Sequence, residues 1–152
     1  MKLAEALQER ADLNRRIEQL KARLDNNALV QEGERPAEVP DELLAELDGC
    51  VARLERVIAQ INRTNCAAMV DGKTLTQLLA RKDALVLRLG AYRGLVSTAS
   101  LTARRATRSE IKILSTVNVK EIQKKVDEMA KELRLLDNKL QQANWTTELI
   151  EE

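Results

Sequence analysis

Residues 119–143 read VKEIQKKVDEMAKELRLLDNKLQQA, and this stretch decides the fold class. Its apolar residues recur at alternating steps of three and four positions. Such steps place the side chains in one stripe along an α-helix, and that stripe needs partner helices to cover it. The stripe consists of Val119, Ile122, Val126, Met129, Leu133, Leu136, Leu140 and Ala143.

Three further stretches have the apolar content of long helices. The first begins near Lys2 and ends near Asn26, since asparagine tolerates the left-handed conformation that terminates helices. The second opens at Pro40, which two acids follow, and the third opens at Thr74. Asn118, with Glu121 three residues later, has the capping pattern for the start of the helix at residues 119–143. We therefore predict an all-α fold, a bundle of four long antiparallel helices in a single domain of residues 1–152. The predicted stripe of the second helix is Leu44, Leu47, Val51, Leu54, Ile58 and Ile61.

The third helix is apolar on more than one face. A helix of that kind must be covered on nearly every side, and one four-helix bundle of this size would leave part of it in water. We therefore expect this helix to contact a second subunit. The C-terminal tail carries the single tryptophan, and we expect it to anchor either in a groove of a neighbouring subunit or, equally, on its own bundle. The predicted interface residues are Leu79, Val86, Leu87, Leu95, Trp145 and Leu149.

Two segments lack the helical repeat. Residues 28–31 are partly β-branched, and residues 111–116 are rich in isoleucine. Because a lone strand needs a partner, we predict that these segments pair as a small two-stranded β-ribbon.

Composition argues against catalysis. The chain has no histidine, which removes the commonest general base and zinc ligand, and Cys50 and Cys66 are too far apart for a typical zinc pair. Aromatic residues make up only 1% of the chain, so a small-molecule pocket is not expected. We predict no enzyme activity, no catalytic residue, no metal, no cofactor and no small-molecule substrate. Without a signal peptide or an apolar run long enough to cross a bilayer, the expected location is the cytoplasm, with no membrane partner.

The charge distribution is uneven, although the net charge is only +1. Residues 31–48 hold seven acids and one base, whereas residues 100–125 hold seven bases and two acids. The basic segment, residues 104–125, could bind nucleic-acid phosphates. We expect instead that the acidic and basic segments neutralise each other, so nucleic acid is not an expected partner. The residues that could contact an anion or nucleic acid are Arg63, Arg104, Arg105, Arg108, Lys112 and Lys120.

Five short motifs resemble the septicolysin-like family of small bacterial helical proteins. They are residues 26–34 (NNALVQEGE), 61–67 (INRTNCA), 71–79 (DGKTLTQLL), 109–121 (SEIKILSTVNVKE) and 143–149 (ANWTTEL). The resemblance implies a helical, self-associating fold and brings no established catalytic or binding residues. The family name also implies a remote alternative, a membrane-active protein of the haemolysin type.

The leading hypothesis from sequence is a non-catalytic, self-assembling cytoplasmic helical protein whose partner is a second copy of itself. The alternative is a nucleic-acid-binding module that uses the basic segment.

Overall fold

A computed structural model describes residues 1–101 and 111–152. Within these ranges the chain forms four long helices and one small antiparallel sheet, so the predicted fold class is confirmed. The elements in chain order are α1 (Leu3–Asn26), α2 (Pro40–Ala67), β1 (Met69–Val70), β2 (Lys73–Thr74), α3 (Leu75–Ala99) and α4 (Val119–Thr146).

Local chemistry explains where the helices begin. Pro40 occupies the first turn of α2, where its missing N–H costs nothing, and Asp41 and Glu42 lie at the positive end of the helix dipole. At α4 the Asn118 side chain accepts a hydrogen bond from the backbone N–H of Glu121 at 3.2 Å, as the sequence predicts. Each helix start therefore satisfies or avoids backbone donors that would otherwise be left unpaired.

The β-ribbon is not where the sequence analysis placed it. Residues 28–31 and 111–116 form no strand, and the observed strands pair Met69 with Thr74 and Val70 with Lys73. Asp71 and Gly72 connect them with φ angles of 51° and 79°. Two positive φ angles are what a two-residue type I′ hairpin requires. A turn this short closes at a lower entropic cost than a pairing between segments about eighty residues apart.

The chain forms two compact units. Unit 1 comprises Met1–Thr74 and Ala143–Glu152, and unit 2 comprises Leu75–Gln142. The single domain expected for residues 1–152 stays a prediction.

In unit 1, α1 and α2 form an antiparallel hairpin. Its core consists of aliphatic side chains from both helices. One side of the hairpin is closed by three ion pairs spaced along its length: Arg53 donates to Glu9 at 2.6 Å, Arg16 to Glu46 at 2.8 Å and Arg23 to Glu38 at 3.0 Å. The core residues are Leu3, Ala6, Leu20, Leu43, Val57 and Ile61.

The C-terminal segment is tied to unit 1 by backbone hydrogen bonds. The N–H of Leu3 donates to the carbonyl of Thr147 at 3.0 Å, and the N–H of Leu149 donates to the carbonyl of Met1 at 2.8 Å. The N–H of Ile150 donates to the hydroxyl of Thr64 at 2.9 Å, and that hydroxyl donates to the carbonyl of Gln60 at 2.8 Å. Thr64 is fully buried, and its hydroxyl is the acceptor for the Ile150 donor in the contacts that the described residues show.

In unit 2, α3 and α4 pack as an antiparallel pair around Leu85, Leu89, Val126 and Met129. Ion pairs flank this core, with Lys82 donating to Asp137 at 2.5 Å and Arg81 pairing with Glu132. The stripe predicted from residues 119–143 is thus largely confirmed, because five of its eight members are buried. These five are Val126, Met129, Leu136, Leu140 and Ala143.

The first prediction concerns the buried threonine. Replacing Thr64 by valine keeps the shape but leaves the Ile150 N–H without its acceptor. The free energy of unfolding should fall by about 1–3 kcal/mol, measured by urea denaturation. The same change at exposed Thr98 on α3 is the matched control and should have little effect. Equal losses in the two variants would contradict this role for Thr64.

The second prediction concerns pH. Two hydrogen bonds from Arg53 hold the pKa of Glu9 below its ordinary value of 4.5, although partial burial opposes this shift. The unfolded carboxylate binds a proton more readily, so the stabilisation is fully present above pH 4.5 and is lost as the pH falls through the folded-state pKa. The urea midpoint of Glu9→Gln should therefore decline less on acidification than that of the parent.

An Arg53→Gln background provides the control for this experiment. Without its guanidinium partner, the Glu9 carboxylate loses the cause of its lowered pKa. Adding Glu9→Gln to that background should leave the pH dependence unchanged. A change of the same size in both backgrounds would show that Arg53 is not the cause.

Candidate interaction surface

Candidate metal ligands do not gather in one place among the described residues. In residues 1–101 and 111–152, no three side chains of the His, Cys, Asp or Glu type come together as a metal site would require. Neither cysteine forms a disulfide; Cys50 is half-buried and Cys66 is exposed. The surface features that stand out are instead apolar side chains left in water on α2 and α3.

The predicted interface residues of α3 do not share one face. At 100° per residue, Leu79 and Val86 lie on one flank of the helix, seven residues apart. Leu87 lies opposite the core and is 76% exposed, and Leu95 lies on the other flank. The structure therefore brings together Leu79 and Val86, and separates them from Leu87 and Leu95.

The flank of unit 2 that carries Val86 forms a groove between α3 and α4. Its volume is about 350 Å³. The floor is apolar and the rim carries three bases and one acid, of which Lys82 and Asp137 pair with each other. Arg93 and Arg134, both exposed, have no carboxylate partner in the part of the chain that the structure describes. The groove residues are Lys82, Val86, Leu89, Arg93, Ala130, Leu133, Arg134 and Asp137.

A second apolar strip lies on α2. Leu44, Val51 and Ile58 are seven residues apart and remain 44%, 47% and 39% exposed. The predicted stripe of α2 included all three, but the helix turns a neighbouring series toward α1, so that Leu43, Val57 and Thr64 are buried instead. We call Leu44, Val51 and Ile58 the α2 strip.

Sequence analysis therefore predicted the members of the α2 strip but not their exposure. The signal was present, because residues 43, 50, 57 and 64 form a second series of uncharged residues at the same seven-residue spacing. Consecutive residues of a helix point about 100° apart, so the series that starts at Leu43 and the series that starts at Leu44 cannot both face α1 directly. The presence of two series predicts a helix with two contact faces.

The two predicted interface residues near the C-terminus have different environments. Trp145 is 64% exposed, whereas Leu149 is 8% exposed within its own chain. Since the backbone N–H of Leu149 also bonds to Met1, this residue contributes to the core of unit 1 rather than to an open surface.

The charged residues proposed for anion binding do not form a described cluster. Arg63 is exposed near the end of α2, and Lys112 and Lys120 are exposed around the start of α4. Arg104, Arg105 and Arg108 lie outside the described residues.

The acidic segment, residues 31–48, has partners that the sequence did not predict. Its Glu38 and Glu46 pair with Arg23 and Arg16 of α1. Hydrogen bonding from Arg23 lowers the pKa of Glu38. These two acids therefore have arginine partners on α1.

Comparison with known proteins identifies the family. DUF6847, described as a family of unknown function, matches residues 10–149. The chain belongs to the DUF6847 family. A crystal structure described as a functionally unknown conserved protein from Corynebacterium diphtheriae is 42% identical, covers 99% of both chains and superposes with a TM-score of 0.92. No curated protein matches the chain.

The predicted resemblance to the septicolysin-like family is wrong. The family match is DUF6847, and the similar crystal structure is itself of unknown function. The five motifs are largely helix ends and turns, such as the Asp71-Gly72 hairpin and the Asn118 cap, and such residues recur wherever helices begin and end. The membrane-active alternative depended on that family name and has no support from these matches.

The helices also bear on membrane insertion. In the portion of the chain that the structure describes, no helix is both long enough and apolar enough to span a bilayer.

Proposed function

We propose that this DUF6847 protein is a non-catalytic, self-assembling helical protein of the cytoplasm, whose exposed apolar helix faces bind a second copy of the chain. The observation that carries the proposal is the α2 strip. A repeat of apolar residues every seven positions is typical of helix–helix seams, and scattered surface residues do not produce it. The absence of a disulfide between Cys50 and Cys66 agrees with a reducing compartment.

The geometry favours an extended helical partner over a small ligand. The α2 strip runs over fifteen residues, from Leu44 to Ile58, or about 21 Å of helix. Leu79 and Val86, followed by Arg93, cover the same length on α3. Each unit therefore offers a long, straight path for a helix, which is apolar on α2 and apolar with a basic end on α3. A second copy supplies helices of the matching length, because α2 and α3 span 28 and 25 residues.

The third prediction tests assembly. Light scattering coupled to size exclusion should find the parent protein as a homo-oligomer at micromolar concentration. Burying a valine side chain contributes about 1.5–3 kcal/mol, so Val51→Lys should raise the dissociation constant roughly tenfold to a hundredfold. The helical circular dichroism signal should not change, since Val51 lies outside the core of unit 1.

A matched variant is Leu87→Lys, which adds the same charge to the back of α3. If assembly uses the α2 strip and the groove flank, this variant should assemble as the parent does. Dissociation by Leu87→Lys but not by Val51→Lys would place the contact on the back of α3 instead. A parent that remains monomeric at every accessible concentration would refute self-assembly.

A further inference from the structure

An acidic edge runs beside the α2 strip. Asp41, Asp48 and Glu55 repeat every seven residues, each three positions before a strip residue. Residues three apart are neighbours on a helix surface, so these carboxylates form one border of the strip. All three side chains are exposed, and none has an ion-pair partner among residues 1–101 and 111–152.

The groove of unit 2 has the opposite charge on its border. Lys82 is already paired with Asp137, which leaves the guanidinium groups of Arg93 and Arg134 for an outside acid. Arg93 follows Leu79 and Val86 at the same spacing of seven, so apolar and basic side chains share one path along α3. Arg134 adds a second base from α4.

Charge disfavours the symmetric antiparallel contact of two α2 strips and the symmetric contact of two grooves. Two α2 strips packed antiparallel would bring one acidic edge against the other. Two grooves packed together would place Arg93 and Arg134 of one copy against Arg93 and Arg134 of the other. Like charges placed opposite each other across an interface cost binding energy and exclude wrong partners.

We propose that the α2 strip of one copy docks into the α3–α4 groove of another copy, with its acidic edge against Arg93 and Arg134. This inference specifies the contact surfaces of the self-assembly proposed above and rests on that proposal. The two faces differ, so the contact either occurs twice across a two-fold axis in a dimer or, as a head-to-tail contact, repeats to build a closed ring or a filament. Charge complementarity selects the orientation, and the apolar path supplies the area to be buried.

The experiment reverses the charges on each face separately. The acid-face variant is Asp48→Lys with Glu55→Lys, and the base-face variant is Arg93→Glu with Arg134→Glu. The control is Glu32→Lys with Glu34→Lys, which makes the same charge change as the acid-face variant in the exposed loop before α2. Analytical ultracentrifugation of each variant, and of an equimolar mixture of the two face variants, measures assembly.

Each face variant alone should raise the dissociation constant about tenfold or more. The equimolar mixture should assemble again, because the reversed strip of one variant meets the reversed groove of the other. A single chain carrying all four substitutions should assemble as the parent does. The loop control should also match the parent, and circular dichroism should show every variant folded.

The contradicting outcomes are distinct from each other. If the parent is an oligomer but the face variants assemble unchanged, or if neither the mixture nor the fourfold variant recovers, the contact proposed here is wrong and self-assembly stands. A loop control that dissociates as far as the acid-face variant would show an effect of net charge and would also refute the contact. A monomeric parent refutes self-assembly and this contact together.

Discussion

Aliphatic side chains interlocked between antiparallel helices are the constraint on which the rest of this structure depends. With almost no aromatic residues, the chain buries leucine, isoleucine and valine at three- and four-residue steps, and these side chains fill the α1–α2 and α3–α4 seams. A seam of this kind is narrow, because a helix in a two-helix contact hides only one stripe. Any apolar series beyond that stripe remains in water unless another helix covers it.

α2 and α3 carry such extra series, and the ion pairs of the α1–α2 hairpin lie on the side of α2 away from its open series. The ion pairs along one side of the hairpin involve three α1 residues spaced seven apart. Glu9 pairs with a base, and Arg16 and Arg23 each pair with an acid. Arg53, which pairs with Glu9, lies on α2 about 160° away from Val51. The ion pairs therefore occupy one side of α2 while the α2 strip lies on the other.

Much of the fold could be predicted from the sequence. Helix periodicity predicted the four helices, and the Asn118 cap and the Pro40 start predicted two of their boundaries, since these depend on neighbouring residues alone. The position of the β-ribbon could not be predicted. The isoleucine-rich residues 111–116 have the composition of a strand, but a strand forms only where a partner strand supplies hydrogen bonds. The Asp71-Gly72 hairpin needed no distant partner.

The candidate surface was harder to predict, because it depends on the rotation of each helix about its axis. Residues 43 and 44 are both leucines, and only packing against α1 decides that Leu43 is buried and Leu44 exposed. The acidic segment posed the same difficulty, since the partners of Glu38 and Glu46 are arginines of α1 that no local pattern identifies. Leu149 resembled a surface anchor, but the hydrogen bond that Ile150 donates to buried Thr64 shows that its segment belongs to the core.

The distribution of charge separates structural ion pairs from those available to a partner. Pairs such as Glu9 with Arg53 and Lys82 with Asp137 link helices within one unit, and their charges are already neutralised. Asp41, Asp48, Glu55, Arg93 and Arg134 have no such partner among the described residues, and each lies beside exposed aliphatic side chains. An exposed ion pair contributes little stability by itself. An ion pair that forms between two copies beside an apolar surface acts mainly on specificity, because it favours contact between faces of opposite charge.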